Sequence, residues 1–226
     1  MSYTLVIANR NYSSWSLRGW FAAKLAGAPF REVVVELVGR GRNPANKGFS
    51  PSGFVPALHD GDTVVWDSLA IAEYLAERHP GMWPADPAAR AWARSIAAEM
   101  HSSFQSLRDE MTMCVRERLD VRPWSLGLAA DVARVEEIWT ESRRRHGRGG
   151  AFLCGAPSIA DAFYAPVAFR FRTYRVSPTG EAGDYLAALL AHPFMREWER
   201  DAVAESIVIE ADEPRFVYRD KLAGRA

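Results

Sequence analysis

The sequence predicts a two-part fold of the α/β plus all-α class, with a mixed α/β unit over residues 1–80 and a helical unit over 88–226. Strand and helix patterns follow one another in the first unit in the order β-α-β and then β-β-α, which favours a mixed sheet with helices packed on it. Three prolines fall within residues 80–87, so a stiff linker is predicted at 81–87. Beyond it, apolar residues recur every three to four positions, as in helices, and no strand is predicted.

The first strand and the first helix flank a polar loop that is rich in serine. An apolar run predicts the strand over residues 3–8, and apolar residues at helical spacing predict the helix over 16–26, closed by Gly27. The loop between them carries Tyr12 and the sequence Ser13-Ser14-Trp15-Ser16. Its hydroxyls lie at a helix N-terminus, where free N–H groups and the helix dipole favour an anion. An N-cap accounts for only one serine, so a role in anion binding is the preferred interpretation.

The rest of the first unit is predicted to complete the sheet and to add one helix. A β-branched run at 32–38 predicts the second strand, and the Gly- and Pro-rich segment 39–53 predicts an irregular connection with a short helical turn. Two apolar runs within 55–66 flank an Asp-Gly turn, which predicts a hairpin. Asp67 and Ser68 then cap a helix that ends at His79.

The second unit is predicted to hold about five helices. One long helix is predicted over residues 88–118, because apolar side chains repeat along it every three to four positions. Apolar residues between 128 and 139 mark the next helix, and Ser158 with Asp161 forms a capping box for a helix over 159–171. Two further helices are predicted to include residues 185–190 and 194–204.

Composition limits the classes of function that the chain can have. The 226 residues contain 28 basic and 28 acidic side chains, and this zero net charge argues against a general affinity for nucleic acid or for an anionic membrane surface. The basic run at 143–148 is predicted to be a solvated helix end. No signal peptide is recognised, and no apolar run approaches the roughly 20 residues that span a bilayer.

The cysteine and histidine patterns argue against a disulfide framework and against a metal site. Cys114 and Cys154 lie 40 residues apart without a Cys-x-x-Cys motif, so free thiols in a reducing cytoplasm are predicted. The five histidines lack the spacing of metal ligands, and no metal is expected.

Four motifs in this order resemble the cytosolic glutathione S-transferase superfamily over about residues 3–205. They are the β-α-β/β-β-α module, Val55-Pro56 before a hairpin, Asp67-Ser68 at the start of a helix, and Ser158-Ile159-Ala160-Asp161 in the helical unit. The serine loop resembles the serine-type classes, particularly the zeta class with its Ser-Ser-Cys-Ser loop. The resemblance implies a thioredoxin-like domain that binds glutathione as a cosubstrate, and a helical domain with a hydrophobic pocket for the second substrate.

The resemblance assigns the thiol chemistry to the serine loop. Ser13 takes the position of the serine whose hydroxyl donates a hydrogen bond to the glutathione sulfur, with Ser14 as the alternative. Trp15, next to them, is expected to contact glutathione. A free thiol has a pKa near about 8.5, and a donor together with a helix N-terminus would stabilise the thiolate, which is the nucleophile.

The resemblance also assigns the binding of the glutathione backbone. Val55, before a cis Pro56, would pair its backbone with the cysteinyl amide as an added strand does. Asp67 and Ser68 would hold the γ-glutamyl end, with Ser68 at a helix N-terminus suited to a carboxylate. Phe54 stands where the family often has Lys or Gln, so the glycyl carboxylate needs another cation, for which the candidates are Lys47, Arg18 and Arg42.

The helical domain is expected to supply the second-substrate pocket. His101 and Phe104 lie on the predicted long helix and are candidates for its wall, although most of that apolar stripe is core by default. Arginines at 170, 172 and 175 follow an apolar helix, near the place where the zeta class holds a substrate carboxylate with an arginine. Arg172 and Arg175 are the candidates here, and the alternative is that they are surface residues or form ion pairs with Asp161 or Glu181. A functional arginine in this segment would mean an anionic second substrate.

The preferred hypothesis is a glutathione S-transferase that activates the glutathione thiol for attack on a small electrophile. Trp15 stands where the zeta loop has cysteine, which favours conjugation or peroxide reduction over isomerisation. The alternatives are a catalytically inactive binding or assembly protein of the same fold, or a glutathione-dependent isomerase. A thioredoxin-type oxidoreductase is disfavoured because the first 80 residues contain no cysteine. The resemblance implies a cytoplasmic homodimer, and neither a nucleic acid nor a membrane is expected as a partner.

Overall fold

The computed structural model of the protein describes residues 3–37 and 42–218. Its sheet consists of β1 (Tyr3–Ala8), β2 (Phe30–Val35), β3 (Ala57–Asp60) and β4 (Thr63–Trp66), in the order β2-β1-β3-β4. The strands β1 and β2 are parallel, whereas β3 is antiparallel to both β1 and β4. The predicted mixed sheet and its hairpin are therefore confirmed.

The connection between β2 and β3 is irregular, as predicted, and contains one 3-10 turn at Pro44–Gly48. The second strand begins two residues before the predicted boundary and ends at Val35, because only Phe30–Val35 pairs with β1. The end of the predicted strand, residue 38, and the start of the predicted connection, 39–41, lie outside the described residues.

Two helices of the first unit position the serine loop. Helix α1 (Ser14–Ala26) begins two residues earlier than predicted, and Gly27 closes it at a φ of 67°. Helix α2 (Ser68–Arg78) packs against α1. Gly19 of α1 lies so close to the start of β3 that a Cβ there would be 2.9 Å from Cγ of Pro56. Only a residue without a side chain permits this approach, which brings the N-terminal end of α1 next to the Val55-Pro56 peptide.

The second unit is helical throughout its described part, with two isolated bridges between residues 152 and 156 as its only extended pairing. Its helices are α3 (Pro87–Ser102), α4 (Gln105–Glu110), α5 (Leu126–His146), α6 (Ile159–Thr173), α7 (Gly180–Ala191), α8 (Pro193–Ala204) and the short α9 (Pro214–Val217).

The prediction of one long helix over 88–118 is wrong. The helix stops at Ser102, Phe104 adopts a left-handed φ of 65°, and α4 restarts for six residues before an irregular segment leads to α5. The Nε of Arg108 donates to the carbonyl of Ser103 at 2.9 Å, and its Nη2 donates to the carbonyl of Met100. These bonds satisfy carbonyls that the interrupted helix would otherwise leave unpaired.

Helix α6 forms the centre of the core. Most of its residues are buried, and it packs against α1, α3 and α7. The predicted capping box at its start is present: Asp161 accepts from the backbone N–H of Ser158 at 2.8 Å and from that of Leu153 at 3.1 Å. Because α6 touches α1 directly, the helical unit reaches the serine loop.

Candidate active site

Two adjoining clefts open where the serine loop meets β3, α2 and the helical unit. The first, which we call the loop cleft, has a volume of about 320 Å³. The second, which we call the α2 cleft, has a volume of about 410 Å³. The loop cleft is lined by Tyr12, Ser13, Ser14, Asn43, Asn46, Arg108, Asp109, Thr112, Arg170 and Asp212, among others. The α2 cleft is lined by Ser52, Pro56, Trp66, Asp67 and Ser68, and both clefts share Trp15, Phe54 and Val55.

Both candidate serines line the loop cleft, but their hydroxyls have different partners. Ser13 is the N-cap of α1: its Oγ donates to Oγ of Ser16 at 2.8 Å and accepts from the N–H of Ser16 at 3.4 Å. Oγ of Ser14 accepts a long hydrogen bond of 3.5 Å from Nη2 of Arg170. The loop therefore combines the predicted N-cap with a second hydroxyl next to a cation.

Trp15 stands between the clefts on a cluster of cationic and aromatic side chains. The guanidinium carbons of Arg18 and Arg108 lie 4.5 and 5.0 Å from the Trp15 ring. Arg18 is 1% exposed, and its Nε and Nη1 have no hydrogen-bond partner in the described part of the chain. Burial lowers the pKa of Arg18, and the charges of Arg108 and Arg170 lower it further. The floor beneath Trp15 is thus electropositive and would favour an anion above it.

The α2 cleft contains the cis Val55-Pro56 peptide and the first turn of α2. Asp67 caps this helix: it has a φ of 74°, and its Oδ1 accepts from the N–H of Leu69 at 2.8 Å. Ser68 is fully buried, yet its Oγ has no hydrogen-bond partner among the described residues. A buried hydroxyl without a partner costs free energy. At the start of an 11-residue helix, it is placed to bind a carboxylate.

His101 connects the helical unit to the α2 cleft. Its Nε2 lies 3.6 Å from Oδ2 of Asp67, and its ring meets the Trp15 ring edge-on at 5.2 Å. Burial lowers the pKa of His101; the charge of Asp67 opposes this shift, whereas those of Arg18 and Arg108 reinforce it. His101, which we expected in the second-substrate pocket, therefore contacts the side of the site that holds Asp67.

Like His101, the three other expected pocket residues line neither cleft. Phe104 is 5% exposed and packs into the core, because its left-handed backbone turns it away from the extrapolated helix face. Arg172 forms an ion pair of 2.7 Å with Glu199 and not with Asp161 or Glu181. Arg175 is exposed at a φ of 54°, beyond the end of α6. The arginine of this segment that lines the loop cleft is Arg170.

The candidate cations for a glycyl carboxylate occupy three different environments. Arg18 is buried under Trp15, and Lys47 is exposed on the 3-10 turn. The guanidinium carbon of Arg42 lies 5.7 Å from the ring of Phe54, which lines both clefts. None of the three lines a cleft directly, whereas Asn43 and Asn46 do.

The spacing of Arg170 from Phe163 could have pointed to Arg170, although the apolar periodicity of the segment did not single it out. Phe163 and Arg170 are seven residues apart and so share one face of α6. The ring of Phe163 lies 5.2 Å from the guanidinium carbon of Arg18, directly beneath the serine loop. Thr112 and Asp212 had no such signal, since both lie in irregular segments brought to the cleft by the tertiary fold.

Comparison with known proteins identifies the family to which this fold belongs. A family model described as the glutathione S-transferase N-terminal domain matches residues 12–78, and one described as the C-terminal domain matches residues 118–201. A maleylacetoacetate isomerase from Rhizobium meliloti (strain 1021) is 31% identical over 180 residues, which cover 73% of this chain and 80% of that protein. A stringent starvation protein A homolog from Haemophilus ducreyi is 26% identical over 194 residues, 84% of each chain.

Other relatives match over a shorter part. A zeta-class glutathione S-transferase from Euphorbia esula is 38% identical over 100 residues, and this match spans 43% of the chain and only 44% of that protein. Among solved structures, maleyl pyruvate isomerase, a bacterial glutathione S-transferase in the zeta class, has a TM-score of 0.67 at 25% identity. That superposition covers 90% of this chain and 100% of the other.

The fold and the clefts define a thioredoxin-like domain joined to a helical domain, with a site between them. The chain belongs to the glutathione S-transferase superfamily, and its relatives include zeta-class proteins. In the described residues, no group of three or more His, Cys, Asp or Glu side chains is placed to hold a metal ion. None of the helices within 3–37 and 42–218 is both long and apolar enough to cross a membrane.

Proposed function

We propose that this protein binds glutathione in the α2 cleft and activates its thiol at the serine loop for attack on a small electrophile. The observation that carries the proposal is the hydroxyl of Ser68, which is buried next to Asp67 and has no hydrogen-bond partner in the part of the chain that the structure describes. The γ-glutamyl end of glutathione has a carboxylate and an ammonium group. The carboxylate suits Ser68 at the N-terminus of α2, and the ammonium suits the carboxylate of Asp67.

The thiol would lie near Val55 and Trp15, where the two clefts meet. We assign Ser13, the N-cap of α1, as the hydrogen-bond donor to the thiolate, with Ser14 as the alternative. To donate, the Ser13 hydroxyl rotates away from Ser16, its present acceptor. The cations Arg18, Arg108 and Arg170 add a positive field, which lowers the pKa of a nearby thiol.

The second substrate would occupy the loop cleft, and we propose that it is anionic. Arg108 and Arg170 line this cleft, and Arg170 reaches Ser14. An acidic group held by Arg170 would therefore lie close to Ser14, the alternative hydrogen-bond donor to the thiolate. The chain would carry out conjugation at this site, since the thiolate is the nucleophile and the cleft holds the electrophile in place.

A glutathione-dependent isomerase is the second candidate. The Rhizobium meliloti relative and the similar zeta-class structure are both named as isomerases. The bulky Trp15, where the zeta loop has a cysteine, is the reason to place this activity second. The stringent starvation protein A relative keeps open an inactive assembly protein of the same fold.

We further propose that the protein works in the cytoplasm as a homodimer. Cys114 and Cys154 are both free, as suits a reducing compartment. The dimer is proposed from family membership and is tested separately below.

Calorimetric titration with glutathione tests the assignment of the α2 cleft. Ser68→Ala should raise the Kd for glutathione about ten-fold or more, because hydrogen bonds to charged groups contribute about 1.5–3 kcal/mol. Ser95→Ala is the matched control, since this exposed serine on α3 bonds only to the carbonyl of Ala91 and lies outside both clefts. Absence of binding by the wild-type protein would favour the inactive assembly protein. A panel of an aryl halide, a peroxide and a cis-dicarboxylate then separates conjugation, reduction and isomerisation.

A further inference from the structure

The serine loop is held by a segment from the far end of the chain. We call residues 205–213, which follow α8, the C-terminal strap. Oε1 of Glu205 accepts from the N–H of Arg10 at 2.7 Å, and its Oε2 accepts from the N–H of Asn11 at 3.0 Å. One carboxylate thus binds two successive backbone amides immediately before Tyr12 and Ser13. Such charge-assisted bonds are about twice as strong as neutral ones.

The other end of the strap is fixed by a buried charged network. The Tyr12 hydroxyl donates to Oε2 of Glu213 at 2.7 Å, and Nη2 of Arg116 donates to the same oxygen at 3.1 Å. Arg116 also donates to the Tyr12 oxygen at 2.6 Å and to the carbonyl of Glu205 at 3.0 Å. Glu213 is only 4% exposed. Because a buried carboxylate without its partners is costly, this network favours one position of the strap.

The state of Tyr12 is consistent with its role as donor to Glu213. Burial, followed by the hydrogen bond to Glu213, raises the pKa of Tyr12 to about 12. The phenol therefore keeps its proton at neutral pH and continues to donate it. Tyr12 lies next to Ser13 in sequence and lines the loop cleft itself, so its position affects both the loop and the cleft.

The strap also forms part of the cleft wall. Asp212 lines the loop cleft, and its carbonyl accepts from Oγ1 of Thr112, another lining residue, at 2.8 Å. No residue of the strap lines the α2 cleft. Release of the strap would therefore change the loop cleft and leave the γ-glutamyl site intact.

We propose that Glu213 is a positioning residue: its carboxylate, held by Tyr12 and Arg116, fastens the strap over the serine loop and keeps Asp212 in the wall that selects the electrophile. This assignment rests on the proposed function, because it takes the loop cleft as the electrophile site. It makes the selectivity of the site depend on the segment that follows α8.

The test combines Glu213→Gln, which removes the charge at nearly constant size, with Tyr12→Phe, which removes the hydroxyl and keeps the ring. For each variant, KM for small and bulky aryl electrophiles, kcat, and the glutathione Kd are measured. Glu213→Gln should raise KM for the small electrophile about ten-fold, the change expected for loss of one charge-assisted bond. The preference for the small over the bulky electrophile should fall, and the glutathione Kd should change less than about two-fold. The double variant should be little worse than either single one, because both break the same contact.

Glu210→Gln is the control, since Glu210 lies in the same strap but is exposed. Hydrogen exchange of residues 205–213 and 9–14 provides a readout that needs no glutathione, and both segments should exchange faster in Glu213→Gln. Failure of the wild type to bind glutathione would refute the proposed function, and the measurement of its glutathione Kd would show this independently of the variants. Faster exchange with unchanged KM and selectivity would overturn the positioning role, as would additive effects of the two substitutions.

Discussion

At the scale of single residues, the site is defined by which hydroxyls and charges have partners. Ser68 has none among the described residues, Ser13 is engaged with Ser16, and Ser14 accepts from Arg170. A hydroxyl that is already an N-cap has a structural role that remains when no ligand is bound. Ser13 would exchange that partner for the thiolate, which carries a full charge and is the stronger acceptor.

Ser13→Ala should therefore lower turnover more than glutathione affinity. Loss of a donor to the thiolate costs about 1.5–3 kcal/mol, which corresponds to roughly ten- to a hundred-fold in rate. Titration of the thiolate absorbance in the ultraviolet measures the effect directly: the thiol pKa should rise in Ser13→Ala and change little in Ser14→Ala. The reverse result would assign the donor to Ser14, and no change in either variant would leave the serines as caps only.

His101 predicts a pH dependence of glutathione binding. Because burial and the charges of Arg18 and Arg108 lower its pKa against the opposing charge of Asp67, His101 is neutral at pH 7. When the pH falls below this lowered pKa, His101 gains a proton 3.6 Å from the carboxylate of Asp67 and competes there with the ammonium of glutathione. The Kd should then rise by about two- to five-fold, the value of a partly exposed ion pair.

The comparison of His101→Gln with the wild type isolates this effect. Calorimetry from pH 7.5 to pH 5 should show a flatter profile for His101→Gln, whereas His146→Gln, at the end of α5 and outside both clefts, should follow the wild type. Parallel profiles for wild type and His101→Gln would rule out the competition.

At the scale of elements, the sequence predicted the strands and most helices because each has a period or cap of its own. The β-branched residues Val33 to Val35 pair with β1. Gly27 closes α1 at a φ of 67°, a conformation that glycine adopts without strain. The break at Phe104 had no such signal, because Met100, Phe104 and Leu107 keep their apolar spacing and are all buried on both sides of it. In the folded chain, Arg108 stabilises the break by donating to the carbonyls of Ser103 and Met100, which the interrupted helix leaves free to accept.

The capping box of α6 allows a test at this scale. Asp161→Ala would remove the acceptor of three bonds, from Ser158 N–H, Ser158 Oγ and Leu153 N–H, all of which are buried. We expect a loss of roughly 3 kcal/mol in the free energy of unfolding, since each unsatisfied buried donor costs about 1–3 kcal/mol. Thermal unfolding should show a Tm lower by about 6–12 °C.

Asp184→Ala on the exposed face of α7 serves as the control and should stay within about 0.5 kcal/mol of the wild type. An Asp161→Ala protein as stable as this control would mean that water replaces the lost acceptor.

At the scale of the whole molecule, the candidate active site depends on contacts between distant parts of the chain. The sequence could predict the serine loop, Val55-Pro56 and Asp67-Ser68 as candidate site residues because each lies in a short motif with its own shape. Thr112 and Asp212 could not be predicted, because an irregular segment and the strap meet at the loop cleft only in the folded chain. Arg170 could be separated from Arg172 and Arg175 only once the face of α6 that meets α1 was known, because two residues along a helix change the face entirely.

The proposed homodimer is the last prediction, and the exposed aromatic residues indicate where it would form. Phe49, Phe54 and Trp66 are 39%, 44% and 45% exposed on the thioredoxin-like unit, and the latter two line the α2 cleft. Exposed apolar clusters often mark protein interfaces.

Light scattering should give about twice the chain mass of 25.2 kDa. Phe49→Ser should shift the equilibrium towards monomer, whereas Leu126→Ser, at a 91% exposed residue of the helical unit, should not. A wild-type monomer at micromolar concentration would exclude the dimer.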